Sequence, residues 1–348
     1  MRNTFRRWVL PLIAVLALLG LLLASIRSNP EWRAFDSRLM LQALVTVDWR
    51  WVGGALAAIY STYLVRALRW GVLTRPVKRR TSLRNLLSAT VIGFAAIGIF
   101  GRAGEMVRPY LVARKEGIPL SSQVAVWMLE RCFDTLTLLL TAGFALRHST
   151  AAGRHSSPAM SRALRLGGTM VALATLGLLV LLVGLAKFAE PFAGRLLRRL
   201  GFLPPVRLQW VERNLRSFLE GCRAIRDWRC LAACILYSAA EWSLIALCYG
   251  AVFNAFGGGL RLSLGDTLIF MTGVMVGSLV QLPGVGGGIQ AASVLVLTEV
   301  FALQPELAVS VSLLIWVFTF LVIVPPALLL AGYEGLSWRR LRRLGSEG

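Results

Sequence analysis

Charged residues are scarce in this chain, and several long stretches lack them altogether. Only 16% of its 348 residues are charged, whereas 56% are hydrophobic, and soluble domains carry about 25% charged residues. Leu166–Ala186, Thr267–Thr298 and Leu307–Tyr333 contain no Asp, Glu, Lys or Arg. A bilayer-spanning helix needs about 20 such residues, and a soluble helix of that length keeps a polar face for water. The sequence therefore predicts an all-α polytopic membrane protein, with one integral membrane domain over residues 1–348.

The motifs of common enzyme classes are also missing. Histidine occurs only as His148 and His155, which lie in one loop, and this excludes a histidine-based catalytic site within the membrane. The sequence contains no Walker loop, no HExxH, no GxSxG and no Asp-rich prenyl-diphosphate motif. We therefore expect no enzymatic activity and no ATP-driven mechanism within this chain.

The cysteines do not have the spacing of a metal site. There is no CxxC pair and no Cys/His arrangement of the kind that holds zinc. We expect no metal and no cofactor, and we interpret five cysteines in or beside apolar segments as packing residues: Cys132, Cys222, Cys230, Cys234 and Cys248.

The formal net charge of +21 raises the question of a nucleic-acid partner. The basic residues stand in short blocks at the ends of apolar segments. In that position Lys and Arg mark cytoplasmic loops and meet anionic lipid headgroups. No nucleic-acid-binding module is recognisable, so we expect membrane lipids as partners and no nucleic acid.

About six full transmembrane helices can be read from the apolar runs. They lie near residues 8–26, 50–73, 119–146, 166–187, 230–253 and 306–331. The first follows Arg2, Arg6 and Arg7 and is longer than the apolar part of a typical signal peptide. We interpret it as an uncleaved membrane helix, and a signal peptide is the alternative.

Two further apolar stretches are interrupted by glycine and proline. Ser82–Phe100 runs into Gly101–Glu105, and Leu264–Leu282 runs into Pro283–Gly288. Such breaks leave backbone groups unpaired, which a bilayer tolerates only where protein or a wet cavity surrounds them. We predict two broken helical hairpins, either re-entrant or made of two short spans. Their hairpin glycines are Gly101, Gly104, Gly284, Gly286, Gly287 and Gly288.

The distribution of arginine predicts an orientation and a possible inverted repeat. Basic segments such as 74–81 and 188–229 place both termini in the cytoplasm by the positive-inside rule, with 147–165 as an exception. Residues 8–146 and 166–331 then share the order span, span, hairpin, span, and they enter from opposite sides. Inverted repeats with broken helices are typical of secondary transporters. Chance similarity of hydropathy is the alternative.

Residues 188–229 form a cytoplasmic basic connector within the second half. Trp210, Leu215, Phe218 and Leu219 can share one helical face, with arginines elsewhere. This pattern suits an amphipathic helix on the membrane surface, and a solvated linker is an equal alternative.

Two charged clusters are the candidates for substrate binding. In Gly101–Tyr110, Arg102 and Arg108 could grip a phosphate and Glu105 could pair with either arginine; a basic loop touching headgroups is the alternative. In the middle of span 119–146, Glu130 and Asp134 lie one turn apart beside Arg131. Each charge at the bilayer centre costs about 3 kcal/mol, so these three must pair or line a polar cavity.

Other polar residues within apolar segments give weaker indications. Arg66 and Arg69 lie near the end of span 50–73, where their side chains can reach the membrane surface. Glu241 stands alone in span 230–253 and needs a cationic partner, for which Arg66, Arg69, Arg102, Arg108 and Arg131 are candidates. Gln290 follows the second glycine break and can contact a headgroup or cap a helix.

These stretches resemble the flippase-like family named after the transmembrane region of lysylphosphatidylglycerol synthase. The resembling segments are Arg66–Trp70, Gly101–Tyr110, Gly117–Pro119, Glu130–Asp134 and Pro283–Gly288. The family usually has an acidic residue shortly after the glycine run, and this chain has Gln290 there. The resemblance implies a membrane domain that moves phospholipid from the inner to the outer leaflet. It does not imply lysyl transfer, because the soluble synthase domain is missing from this sequence.

We therefore expect a lipid translocase in a bacterial cytoplasmic (inner) membrane, acting on an anionic phospholipid or a polyprenyl phosphate. The expected substrate-binding residues are Arg69, Arg102, Glu105, Arg108, Glu130, Arg131, Asp134, Glu241 and Gln290. One alternative is an accessory subunit that presents lipid to a lipid-modifying enzyme, such as a glycosyltransferase or an aminoacyl-phospholipid synthase. Another is a membrane transferase that uses Glu130 and Asp134 for acid–base chemistry.

Overall fold

A computed structural model describes residues 32, 34–148, 158–200, 202, 204–257, 260, 262–278, 281–282 and 286–335. The predicted first span at 8–26 and Gly284 lie outside the described residues. The α-helices of the described residues are α1 (Ser37–Val45), α2 (Trp49–Thr74), α3 (Leu83–Phe100), α4 (Val107–Glu116), α5 (Leu120–His148), α6 (Pro158–Arg199), α7 (Pro205–Cys222), α8 (Trp228–Ala255), α9 (Leu264–Gly277), α10 (Gly288–Leu295), α11 (Pro305–Trp316) and α12 (Val324–Tyr333).

Shorter elements join these helices. The 3₁₀ helices are Gly101–Met106 and Arg223–Arg226, and the π-helical segments are Val296–Val300 and Val317–Leu321. Two strands of two residues each, β1 (Gln281–Leu282) and β2 (Gly286–Gly287), pair antiparallel at the second glycine break. Apart from these strands and short connecting turns, the described part of the chain is helical, which confirms the predicted fold class.

Five of the six predicted crossings lie on helices, and the sixth is the span outside the described residues. By length and composition alone, three stretches of the described residues are candidate membrane spans: Leu83–Glu116, Trp228–Ala255 and Pro305–Tyr333. A fourth exists if Ala172–Gly184 and Ala186–Arg199 count as one span bent by 60°. Helices α2 and α5 are 26 and 29 residues long, and both contain charged residues within their apolar length.

The stretch Leu83–Glu116 folds back on itself as the first predicted hairpin. Gly101 has φ 63°, a backbone conformation that favours glycine, where the chain leaves α3. A Cβ added to Gly93 would lie 2.6 Å from the Cβ of Arg108, so α3 and α4 pack in close contact. The two ends of the hairpin meet where Glu116 accepts a hydrogen bond of 2.7 Å from Asn85 Nδ2.

The second hairpin consists of α9 and α10, which also pack closely at glycine positions. A Cβ on Gly277 would overlap Ala292 and the Gly288 carbonyl oxygen, and one on Gly273 would lie 2.5 Å from Val296. Helices α9 and α10 can therefore approach each other closely, because glycine places no side chain at these contacts. The pairing of β1 with β2 closes the turn between them, and the chain returns to the side from which it came.

The two hairpins open towards opposite ends of α2. The two ends of the first hairpin lie beside the end of α2, where Lys78 forms an ion pair of 2.7 Å with Glu116. The second hairpin begins soon after the end of α8. The end of α8 lies beside the start of α2, as the hydrogen bond of 2.8 Å that Asp48 N donates to Ala255 O shows. This arrangement agrees with opposed halves. The inverted repeat and the cytoplasmic position of the termini stay predictions.

The connector at 188–229 is helical rather than a plain linker. It contains the end of α6, all of α7 and the 3₁₀ turn Arg223–Arg226, and both of these arginines form ion pairs with Glu190. Gly221 lets α7 pack against the backbone of Ser122 at the start of α5. Trp210 is 64% exposed and does not share the partly buried face of Leu215. The cytoplasmic position of this connector stays a prediction.

The close packing of the first hairpin gives a testable prediction. A Cβ on Gly104 would overlap the backbone of Ala96 and Ile97, so Gly104→Ala should lower stability by about 1–3 kcal/mol through overpacking. We expect a lower thermal unfolding midpoint for the variant in detergent. Gly143→Ala is the matched control, since a Cβ at Gly143 meets no atom within 4 Å. Equal midpoints for the two variants would contradict the close contact.

Candidate functional site

Charged side chains from four helices converge inside the apolar bundle. Helix α2 supplies Arg66 and Arg69, which lie one turn apart, and α4 supplies Arg108. Helix α5 supplies Glu130, Arg131 and Asp134, and α8 supplies Glu241. We call these seven residues the charge network. Its charges are almost balanced, with four arginines and three carboxylates.

Arg69 lies at the centre of the charge network. Its side chain is 0% exposed and pairs with three carboxylates: Glu130 at 3.0 Å, Asp134 at 2.8 Å and Glu241 at 3.1 Å. It also donates a hydrogen bond of 2.9 Å to Ser238 Oγ. A buried charge is tolerated when it is paired and hydrogen-bonded, and Arg69 meets this condition by tying α2 to α5 and α8.

Arg108 is a second buried arginine, and it contacts three other residues of the bundle. Its Nη1 lies 3.0 and 2.9 Å from the two carboxylate oxygens of Glu130, and its Nη2 donates to Arg66 O at 3.0 Å. The guanidinium also lies 4.0 Å from the centre of the Trp70 ring, a favourable cation–π distance. Arg108 therefore anchors α4 of the first hairpin to α2 and α5.

Arg131 and Arg66 are more accessible than these two. The Arg131 side chain is 40% exposed and pairs with Glu130 at 3.2 Å and Asp134 at 2.9 Å. The Arg66 side chain is 14% exposed, pairs with Glu241 at 2.8 Å and lies 4.3 Å from the Phe94 ring centre. The network thus has a buried core and an accessible edge.

The accessible edge faces a cavity of about 490 Å³ between the two hairpins. Arg102 and Glu105 line it from the turn of the first hairpin, and Gln290 lines it from the second. Its charged lining consists of four arginines and three carboxylates: Arg66, Arg102, Arg108, Arg131, Glu105, Glu130 and Asp134. The cavity can therefore accept a polar or anionic group within an otherwise apolar bundle.

All nine predicted site residues belong to the charge network or to the cavity wall. The network contains Arg69, Arg108, Glu130, Arg131, Asp134 and Glu241, and the cavity wall adds Arg102, Glu105 and Gln290. Glu241 was expected to need a cationic partner, and it has two, Arg66 and Arg69. Substrate binding by these residues stays a prediction.

One interpretation of the sequence is wrong, and one of the two pairings open to Glu105 does not form. Arg69 does not reach the membrane surface, because α5 and α8 bury it completely and supply its partners. Arg108 does not pair with Glu105, because the close approach of α4 to α3 at Gly93 brings it to Glu130 instead. Of the hairpin glycines, Gly101 and Gly104 form the first turn, and Gly286, Gly287 and Gly288 lie in β2 and at the start of α10.

Several site residues were missed by the sequence interpretation. Trp70 and Phe94 lie against guanidinium groups, and Ser238 binds Arg69. Trp242 and Tyr249 line the cavity from α8. Helical spacing contained part of this signal, since Tyr63, Arg66 and Trp70 recur at intervals of three and four residues along α2. Trp242 and Tyr249 likewise lie seven residues apart.

The carboxylates of the charge network do not form a metal site with neighbouring ligands in the part of the chain that the structure describes. Within the described residues, no group of three or more His, Cys, Asp and Glu side chains could hold a metal ion. The carboxylates of the charge network are instead engaged by arginine.

Loss of the central arginine should destabilise the bundle. Arg69→Gln would leave Glu130, Asp134 and Glu241 with less positive charge in a buried setting, and breaking a buried pair in this way costs about 3–5 kcal/mol. We expect a markedly lower thermal unfolding midpoint in detergent. Arg216→Gln is the control, because Arg216 is 73% exposed and forms an exposed ion pair with Glu212 on the same helix. An Arg69 variant as stable as the control would contradict the structural role.

Similarity to a known protein family covers both hairpins and the charge network. The family model for the lysylphosphatidylglycerol synthase TM region matches residues 8–327, which include both hairpins and the charge network. A search of curated proteins gives no match. The family match covers far more than half of the chain and confirms the resemblance seen in the sequence. This chain belongs to the family of the lysylphosphatidylglycerol synthase transmembrane region.

Proposed function

We propose that this membrane domain moves a lipid with an anionic or phosphate-bearing headgroup between the two leaflets of the cytoplasmic membrane. The lipid is a phospholipid or a polyprenyl phosphate, and its acyl or prenyl chains stay in the bilayer while the headgroup passes through the protein. Membership of the family relates the domain to lipid modification or transport. The proposal includes a bacterial inner membrane, cytoplasmic termini and no catalytic step.

The observation that carries the proposal is the charged cavity between the hairpins. A single charge near the bilayer centre costs about 3 kcal/mol on insertion scales, and more by other estimates. An anionic headgroup therefore needs a polar route with compensating positive charge. The cavity of about 490 Å³ has one more arginine than carboxylate in its lining, which favours an anionic group over a cationic one.

The arginines of the site have different accessibilities, and this suggests different roles. Arg69 and Arg108 have exposures of 0% and 5% and are held by carboxylates on neighbouring helices, so they support the bundle. Arg131 has an exposed fraction of 40% and faces the cavity. We assign phosphate binding chiefly to Arg131, whose planar guanidinium matches two phosphate oxygens. Arg66 is the second candidate.

The hairpins supply a route for alternating access. The first hairpin opens towards one end of α2 and the second towards the other, and the cavity lies between their turns. In transporters with broken helices, substrate sites lie at the interface of the two halves, and rocking of one half exposes the site to each side in turn. The same motion here would move a headgroup past Arg131.

The accessory role remains the second candidate because the family takes its name from a synthase. In that role the same cavity would hold lipid for a separate lipid-modifying enzyme, without moving it across the membrane. Purified protein that binds lipid but does not flip it, and an enzyme that co-purifies with it and loses activity in its absence, would favour this candidate.

Loss of the accessible arginine should slow headgroup movement. Arg131→Gln removes a charge-assisted contact, and we expect the rate of flipping to fall about tenfold, equivalent to about 1.4 kcal/mol. The assay uses proteoliposomes with phospholipids labelled on the acyl chain, and it measures how fast the inner-leaflet label becomes accessible to a membrane-impermeant quencher.

The control variant for this assay is Arg216→Gln, which changes an exposed arginine of α7 outside the cavity. It should flip lipid as fast as the unaltered protein. Polyprenyl phosphate is tested in parallel as the other class of substrate. The proposal is abandoned if the unaltered protein flips no tested phospholipid or polyprenyl phosphate faster than empty liposomes do.

A further inference from the structure

The candidate span Pro305–Tyr333 is interrupted near the middle of its length. The π-helical segment Val317–Leu321 separates α11 from α12. Such segments are rare, they recur at functional sites, and helices kink at them. Just beyond it, Pro326 has no N–H to donate to Val322 O, and Tyr60 OH of α2 donates to that oxygen at 2.9 Å. The regular helical hydrogen bonding is therefore weakened where the two parts of the span join.

The two parts of this span pack against different hairpins. Helix α11 contacts α10 of the second hairpin, whereas α12 contacts α3 of the first. Ile315 of α11 belongs to the hydrophobic cluster that contains Met271 of the second hairpin. Ala331 near the end of α12 belongs to the cluster that contains Leu111 of the first hairpin. The π-helical segment is therefore a covalent joint between one helix packed on each hairpin.

Polar side chains fasten the end of α12 to the first hairpin. Lys115 Nζ at the end of α4 pairs with Glu334 Oε1 at 2.5 Å and donates to Ser88 Oγ of α3 at 2.8 Å. Ser88 Oγ in turn donates to Glu334 Oε1. We call these three residues the latch. The side chains of Lys115 and Glu334 are 15% and 22% exposed, so water can reach both charges and the pair can break without leaving either one in an apolar core.

The joint itself lies in the wall of the cavity. Trp316, Thr319 and Phe320 line the cavity, and the rings of Trp316 and Phe320 stack with their centres 5.4 Å apart. The Phe320 ring lies against Gly98 of α3, where an added Cβ would come within 2.9 Å of it. A change of angle at the joint would therefore move part of the cavity wall past the first hairpin.

We propose that the π-helical segment Val317–Leu321 is the hinge between the two hairpins, and that the latch makes α12 move with the first hairpin. This inference rests on the proposed translocase function and supplies its moving part. Hinges are a few residues that absorb a large change in backbone angles between two rigid parts. The latch is closed in the arrangement described here, so breaking it favours the other arrangement.

The hinge is tested by distances between two spin labels in the full chain, in bilayer nanodiscs of phosphatidylglycerol and phosphatidylcholine. The labels enter as unnatural amino acids, so the native cysteines stay. Leu313 of α11 and Leu329 of α12 lie on either side of the hinge and are 37% and 77% exposed. Pulsed electron paramagnetic resonance should give two distances for this pair. Trp228 and Leu247 are the control pair, because both are exposed on α8, an uninterrupted helix, and they should give one distance.

The latch is tested with the same label pair across the hinge. Glu334→Gln removes the ion pair with Lys115, and we expect the ratio of the two distances to shift about threefold away from the arrangement described here, the value of a partly exposed ion pair. Lys115→Gln should give the same shift, and the double variant should add nothing, because both changes remove one interaction. Glu212→Gln is the matched control, since Glu212 forms an exposed ion pair on α7, and it should leave the ratio unchanged.

The outcomes separate this inference from the proposed function. The hinge is refuted if the pair across it gives a single distance as narrow as that of the control pair. The latch is refuted if the ratio ignores Glu334→Gln, or if the two single changes add in the double variant. Two distances that respond to the latch in a chain that flips no lipid would support the inference and refute only the translocase proposal. Flipping with a rigid span would do the reverse.

Discussion

The fold depends on one constraint, which is that charges inside an apolar bundle must pair with each other. Arg69 meets this constraint by contacting Glu130, Asp134 and Glu241 on two neighbouring helices, and Arg108 meets it through Glu130. Each charge alone would oppose insertion into the bilayer, but together they fix the relative positions of α2, α4, α5 and α8. The residues that cost most to bury therefore determine which helices pack together.

Glycine makes this network geometrically possible. Arg108 reaches Glu130 only because α4 lies directly against α3, and Gly93 and Gly104 are the positions at which that contact has no room for a side chain. The break that ends α3 at Gly101 also turns the chain, so Arg102 and Glu105 reach the cavity wall. The hairpin turn, the packing and the polar cavity are thus consequences of the same few glycines.

Much of this arrangement could be predicted from the sequence, and the remainder depends on contacts between distant segments. Apolar runs located the helices, and glycine and proline located both hairpins, because these are local properties. Glu130 and Asp134 were predicted to act together because they lie one turn apart. The burial of the Arg69 side chain could not be predicted. Arg69 lies five residues before the end of α2, and it is buried only because α5 and α8 cover it.

The pairing of Arg131 has a consequence for how a headgroup could be released as well as bound. Arg131 is held by Glu130 and Asp134, so in the proposed mechanism an incoming phosphate competes with two carboxylates for one guanidinium. Each carboxylate retains another arginine, Arg69 in both cases, and therefore remains compensated while the phosphate is bound. The exchange replaces the ion pairs between Arg131 and the carboxylates by an ion pair between Arg131 and the phosphate, within the same cavity wall. Its net free energy is small compared with that of either pair alone, which suits a site that must bind a headgroup and let it leave.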